Sequence, residues 1–320
     1  MPTRRIAAAA LTAVLTAMAL ASAHAGPYRA PRTPDGQPQL QGLWTANAST
    51  RLERPPGAPA GFTTKAEELA YEKAAMARIA EGGEAGLGQG ASEWQVPFPL
   101  GRLDGRLRTG WITDPADGLV PYRPEAKLRQ RALAAATLAS ANPEDRTPSD
   151  RCLVGGQASA NPPMLNTAVA GGKRIVQTRD AVVILSEMNH DVRIIRLIDP
   201  KTAKAAHLPP NLRPWMGDSI GHWEGETLVV ETTNLNPGEG DRGLFLIGPD
   251  ARVTERFTRT APDEIRYAFE VEDPATYTTP WRGEMPLHPD KGPIFEFACH
   301  EGNYSMPLML QIARAADKGQ

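Results

Sequence analysis

The densest group of side chains that could carry chemistry is the run C-H-E-G-N-Y at residues 299–304. An imidazole beside a carboxylate can accept and return a proton, because free imidazole titrates near neutral pH. We therefore predict that His300, Glu301 and Tyr304 are catalytic and that Asn303 binds a ligand. The alternative is a polar turn with a hydrogen-bonded structural histidine.

A second polar group, E-M-N-H-D at residues 187–191, lies between two apolar runs and is expected to form the tip of a hairpin. A tip requires polar turn formers in any case. Its adjacent histidine and carboxylate also suit acid–base catalysis. We predict catalytic roles for His190 and Asp191 and a ligand contact for Glu187.

Metal binding is the alternative use of these histidines. If His190 and His300 lie at one end of the fold, neighbouring carboxylates would complete a set of ligands for Zn²⁺ or Fe²⁺. Those carboxylates are Glu187, Asp191 and Glu301. The sequence contains no short-spaced metal motif such as H-x-H or H-E-x-x-H, so a divalent metal stays an alternative to metal-free chemistry.

Charged residues also occur inside predicted strands. Glu231 lies in a run whose two faces are both partly apolar, so it faces either solvent or a polar cavity in which it would bind a ligand. Arg193 could hold a carboxylate or a hydroxyl-rich ligand, or form an ion pair across strands.

The run G-D-S-I-G at 217–221 matches the G-x-S-x-G pattern of a hydrolase nucleophile elbow. That elbow requires a buried strand before the serine and a helix after it. Here a proline-rich stretch precedes Ser219 and a hairpin follows, which favours a turn with no nucleophile.

The strands that must position these residues are predicted from about residue 172 onward, where apolar residues begin to recur at every second position. Short runs rich in Val, Ile, Thr and aromatic residues alternate with turn signals, which predicts an antiparallel up-and-down barrel or a sandwich. The predicted strands are Arg174–Thr178, Ala181–Glu187, Val192–Ile198, Ile220–Trp223, Thr227–Thr233, Arg252–Thr258, Ile265–Glu272, Trp281–Leu287 and Pro293–Cys299. An early strand with Gly42-Leu43-Trp44 resembles the first strand of lipocalins.

Residues 26–165 form a segment rich in Pro, Gly and Ala, which precedes or wraps the β domain of residues 166–320. Two helices are expected in it. The first follows the capping box Thr64-Lys65-Ala66-Glu67 and runs to about Ala80. The second starts at Pro124 and ends before Asn142-Pro143.

Residues 1–25 have the pattern of a secretory signal peptide. Arg4 and Arg5 precede an apolar run that is too short to span a membrane, and Ala23-His24-Ala25 offers a cleavage site. The arginine pair leaves twin-arginine export as an alternative route. The sequence predicts a periplasmic or secreted protein.

Two cysteines, Cys152 and Cys299, remain after cleavage. In an exported protein an even pair favours one disulfide, with a metal thiolate or a free thiol as alternatives.

Charge restricts the partners. Loss of Arg4 and Arg5 changes the net charge from −2 to −4. No basic patch with interleaved aromatics occurs, which argues against nucleic acid as a partner, and no later run is long and apolar enough to cross a membrane. A small-molecule ligand or substrate is expected, and the sequence leaves the oligomeric state open.

Several motifs resemble those of a large family of exported bacterial β-rich proteins. They are D-R-C at 150–152, N-H-D at 189–191, G-D-S at 217–219, W-E-G-E-T-L-V-V-E-T-T-N at 223–234 and A-C-H-E-G-N-Y at 298–304. The resemblance implies export and a shared fold, and it assigns no catalytic residue.

Two functions follow from these observations. The first is an exported enzyme of lyase or hydrolase type with a histidine–carboxylate site for a small polar substrate; the absence of a nucleotide-binding glycine loop argues against redox chemistry. The second is a lipocalin-like binding protein in which the same residues orient a ligand.

Overall fold

The computed structural model describes residues 28–81, 98–155, 159–166, 171–202, 206–239 and 245–317. The signal peptide predicted over residues 1–25 lies outside these ranges. In the described part of the chain, no helix is long and apolar enough to cross a membrane.

The predicted β architecture is confirmed as a closed barrel of nine strands. Its strands follow one another around the barrel in the order β1-β5-β6-β7-β8-β9-β10-β11-β12, and β1 closes it against β12. The short strand β4 adds to β12, and β2 and β3 form a separate hairpin. The strands are β1 (Gly42–Thr45), β2 (Arg102–Leu103), β3 (Arg106–Leu107), β4 (Ile112–Asp114), β5 (Gly172–Gln177), β6 (Ala181–Ser186), β7 (Val192–Leu197), β8 (Asp218–Glu224), β9 (Thr227–Thr233), β10 (Arg252–Ala261), β11 (Glu264–Glu272) and β12 (Trp281–Pro289).

Pairing is antiparallel except between β7 and β8, where Ile195 lies opposite Ser219 in a parallel register. The strand alternation predicted from the sequence is visible in the burial of β11, where every second residue is buried. Apolar side chains alternate to the inside because the two faces of a strand point in opposite directions.

The early strand predicted around Gly42-Leu43-Trp44 is present as β1. Trp44 is buried, its Nε1 donates to the Leu40 carbonyl at 2.9 Å, and the Arg259 guanidinium lies 5.4 Å from its ring centre. β1 pairs with β5 and with the end of β12 and thereby joins the two edges of the sheet.

The barrel interior is filled by the chain itself. Residues 159–165 are all buried, and their backbone is bonded to inward-facing side chains. The Met164 N–H donates to the Tyr267 hydroxyl at 2.8 Å, and the Ala160 carbonyl accepts from Arg193 at 3.3 Å. We call residues 159–166 the plug. In a lipocalin the corresponding space holds the ligand, whereas in the described part of this chain the plug and the apolar core occupy it.

Both helices predicted in residues 26–165 are present, as α1 (Lys65–Glu81) and α2 (Pro124–Ala139). The capping box forms as expected: the Thr64 hydroxyl accepts from the Glu67 N–H, and the Glu67 carboxylate accepts from the Thr64 N–H. α1 packs on the β2–β3 hairpin through a small apolar cluster that includes Ala75, Leu100 and Leu107.

The C-terminal part differs from the prediction. The strand predicted over Pro293–Cys299 is wrong, because this segment has no regular secondary structure and pairs with none of the strands in the described part of the chain. A third helix, α3 (Ser305–Asp317), follows it and was not predicted. The side-chain oxygen of Asn303 accepts from the Met306 N–H and caps this helix.

Candidate functional site

The tip between β6 and β7 is a tight turn that places Asn189 and His190 on its corner. Both residues have left-handed backbone angles, with φ of 55° and 54°, and the Asp191 N–H bonds to the Met188 carbonyl at 3.2 Å. Two consecutive left-handed residues are the geometry of a type I′ turn. Asparagine and histidine tolerate it better than most non-glycine residues.

This turn holds the extended segment that precedes α3. The Glu187 carboxylate accepts from the Phe295 N–H at 3.3 Å, and His190 Nε2 accepts from the Phe297 N–H at 3.0 Å. The predicted disulfide between Cys152 and Cys299 is present and fixes the end of the same segment. The two sequence regions that carry His190 and His300 are therefore brought together.

A cleft of about 170 Å³ lies where the turn and the segment meet. Its lining residues combine two imidazoles, two carboxylates, an amide and the disulfide. The polar ones are Asn189, His190, Glu296, His300 and Glu301. Both side-chain amide atoms of Asn189 are inaccessible and have no hydrogen-bond partner in the described part of the chain.

The hydrogen bond from Phe297 assigns the tautomer of the His190 ring. Since the Phe297 N–H donates to Nε2, that nitrogen carries a lone pair and the ring proton resides on Nδ1. His190 is therefore a hydrogen-bond donor through Nδ1. No hydrogen bond engages the His300 ring among the residues that the structure describes.

Asp191 lies behind the turn and supports it. Its carboxylate accepts from the Gly155 N–H at 2.8 Å and from Ser159. Burial raises the pKa of this carboxyl, although both hydrogen bonds and the positive charge of Lys173 oppose the rise. Asp191 thus joins the turn to the residues just before the plug, a positioning role in place of the predicted catalytic one.

Lys173 on β5 is buried beside the same turn. Burial lowers the pKa of its ammonium to about 8, while the negative charges of Asp191 and Glu187 act to raise it. An unfolded lysine has a pKa of 10.5, so between these values the unfolded chain binds a proton that the folded chain does not. The contribution of Lys173 to the free energy of unfolding therefore increases as the pH rises from about 8 to 10.5.

We expect the stability of the wild-type chain relative to K173M to increase by about 2 kcal/mol between pH 7 and pH 9.5. Urea unfolding of both chains at these two pH values measures it. Comparison with K173M removes the contribution of all other titrating groups. A difference that stays constant with pH would contradict the prediction.

Three predicted site residues lie elsewhere. Tyr304 is 82% exposed and lines no cleft. Arg193 points into the barrel, where it forms a buried ion pair with Glu255. Asn303 holds structure together: its amide donates to the Asp150 carbonyl at 3.0 Å and to Cys152 Sγ at 3.4 Å.

Glu231 belongs to a separate ionic cluster on the outside of β8 and β9. His207 bridges two carboxylates there, with Nδ1 2.9 Å from Asp218 and Nε2 3.1 Å from Glu231. Burial acts to raise the pKa of Asp218, but the Leu208 N–H, His207 and Arg196 outweigh it and lower that pKa. Sequence reasoning missed His207, because the non-periodic stretch before β8 gives no signal of where its side chain points.

Ser219 lies within β8 and is buried inside the barrel, where its hydroxyl accepts from Arg193 Nε at 2.9 Å and lies 2.9 Å from the Thr232 hydroxyl. The turn expected at Ser219 instead precedes it, with the Gly217 N–H bonded to the Pro214 carbonyl at 3.0 Å. The strand after the serine, β9, agrees with the expected absence of a nucleophile elbow, which requires a helix there.

A metal site was the alternative use of the histidines. Within the ranges that the structure describes, no three His, Cys, Asp or Glu side chains are grouped to hold a metal ion. The Zn²⁺ or Fe²⁺ alternative gains no support from this geometry.

Comparison with known proteins yields no match: no family model, no curated protein and no solved structure is similar to this chain.

Proposed function

We propose that the chain is an exported enzyme that transfers protons to and from a small polar substrate in the His190–His300 cleft, in a lyase or hydrolase reaction. The observation that carries the proposal is the meeting of two imidazoles with different hydrogen bonding around one cleft. The disulfide between Cys152 and Cys299 supports an oxidising compartment, which agrees with the predicted signal peptide.

The geometry suggests a division of roles. His300, whose ring makes no hydrogen bond in the described structure, is placed to act as the general base. His190 presents the proton on Nδ1 and is suited to donate a hydrogen bond to a substrate oxygen. Glu296 and Glu301 line the same cleft and would accept hydrogen bonds from the substrate.

The size of the cleft limits the substrate. A space of about 170 Å³ admits only the reacting end of a larger molecule, such as one sugar ring or one phenolic ring. The polar lining favours groups that both donate and accept hydrogen bonds. Hydroxylated neutral compounds therefore suit this site best.

The experiment is a turnover screen of the wild-type and H300A chains with aryl glycosides and hydroxycinnamate esters, followed by mass spectrometry. We expect H300A to lose about a hundredfold or more of the wild-type rate, because general acid–base catalysis contributes at least this factor. H222A is the matched control, since His222 lies on the outer face of β8 and lines neither cleft.

Equal rates for H300A and the wild type would contradict the enzyme proposal. Saturable binding of one of these compounds without turnover would instead support the binding protein. The polar lining of the cleft is the observation that favours this second function.

A further inference from the structure

The extended segment of residues 293–298 has one unpaired backbone side. The N–H groups of Phe295 and Phe297 are both held by the turn. These two N–H groups are two residues apart and bond to the same turn, which is the alternation of an extended chain. With this alternation the N–H groups of Ile294, Glu296 and Ala298 are expected to point away from the turn. None of these three N–H groups has a partner in the described structure.

A groove of about 420 Å³ is lined by residues 296–299 of this segment. The segment forms one wall with Glu296 and Ala298, and α3 forms another with Met309. The groove contains neither Asn189 nor His190, so the segment separates it from the cleft of the proposed active site.

We propose that this groove binds an extended peptide segment of a partner protein, which pairs as a strand with residues 294–298. An extended segment with a row of free N–H and C=O groups is a template for strand addition. The free N–H groups recur at every second residue. A partner strand presents its C=O groups with the same spacing, whereas a compact small molecule does not.

The charges of the groove define the side chains of the partner. Among the residues that the structure describes, its only ionisable lining residues are Asp150 and Glu296, and no lysine or arginine lines it. Arg146 neutralises Asp150 at 2.9 Å, whereas Glu296 has no ionic partner in the described ranges. The partner segment is therefore expected to place a basic side chain beside Glu296 and apolar side chains against Phe297 and Met309.

The test uses the intact, disulfide-bonded chain and two fluorescein-labelled peptides with blocked ends, Thr-Lys-Val-Lys-Val-Thr and Thr-Glu-Val-Glu-Val-Thr. Fluorescence anisotropy measures their affinities. We expect saturable binding of the lysine peptide and binding of the glutamate peptide at least tenfold weaker. N-methylation of alternate amides on the pairing edge should weaken the lysine peptide about tenfold or more, since each lost hydrogen bond is worth about 1 kcal/mol.

Two variants separate this site from general charge effects. E296K should weaken the lysine peptide at least fivefold, whereas E125K, which adds the same charge on the exposed start of α2, should leave it unchanged. Equal effects of the two variants, equal affinities for the two peptides, or no saturable binding would each overturn the proposal. Full binding of the N-methylated peptide would do so as well, because it would exclude strand pairing.

Discussion

Substitution of Glu255 by glutamine is expected to lower the free energy of unfolding by about 3–5 kcal/mol, because it leaves a buried guanidinium without its counter-ion. Glu255 and Arg193 are almost fully buried, at 0% and 2% exposure of their side chains. The carboxylate also accepts from the Tyr267 hydroxyl at 2.7 Å. Equilibrium unfolding in urea, followed by circular dichroism, measures the change.

An exposed ion pair on the adjacent strands provides the control. Glu270 and Arg282 pair across β11 and β12 with exposures of 30% and 51%. Since such pairs contribute at most about 1 kcal/mol, E270Q should lie within 1 kcal/mol of the wild type. A loss for E255Q that is no larger than the loss for E270Q would contradict the expected role of burial.

A double substitution tests whether the isolated charge is the cause. R193M combined with E255M removes both charges, so no uncompensated ion is left in the interior. We expect the double variant to be more stable than E255Q alone, since apolar side chains of similar volume can replace a buried ion pair. A double variant that is less stable than E255Q would show that the hydrogen bonds to the plug dominate.

The same network connects the barrel to the candidate site. Arg193 and Tyr267 fix the backbone of the plug, while Asp191 fixes Gly155 just before it. Cys152 lines the cleft, while the plug, residues 159–166, is bonded to side chains inside the barrel. Disruption of the ion pair should loosen the disulfide-bearing wall of the cleft as well as the core.

Alternation with a period of two predicted most of the barrel strands, yet the same signal failed for residues 293–299. Phe295, Phe297 and Cys299 alternate with polar or small residues as a strand would. The segment has no edge to join, because β12 already pairs with β11 on one side and with β4 and β1 on the other. The four-residue strand β1 is too short for its closing role to be evident from the sequence.

Local sequence also could not place the charged side chains of the strands. β7 is apolar on both faces, so the direction of Arg193 was ambiguous, whereas Glu255 shares the inward face with Val253 and Phe257. That His190 and His300 line the same cleft could be predicted from the sequence only as a hypothesis. It depended on the long-range bond between Cys152 and Cys299, which brings the C-terminal segment back to the turn.

Removal of that bond by the paired substitutions C152S and C299S is expected to lower the free energy of unfolding by about 3–5 kcal/mol. The disulfide closes a loop with a sequence separation of 147, and the chain-entropy model assigns about 5 kcal/mol to a loop of this length. Guanidinium unfolding of the variant and of the oxidised wild type measures the difference. The wild type with its bond reduced is the control, and it should reproduce the loss without any substitution.

The same variant is expected to change the candidate site while it leaves the barrel intact. Cys299 lies beyond β12, so the barrel strands keep all their pairings when the bond is removed. The segment from 293 to 298 keeps its two hydrogen bonds to Glu187 and His190, each worth about 1 kcal/mol. We therefore expect faster amide exchange at residues 293–304 and weaker turnover and peptide binding, with an unchanged β signal in circular dichroism. Unchanged exchange in this segment would show that the turn alone holds it, and the disulfide would then stabilise the barrel without shaping either cleft.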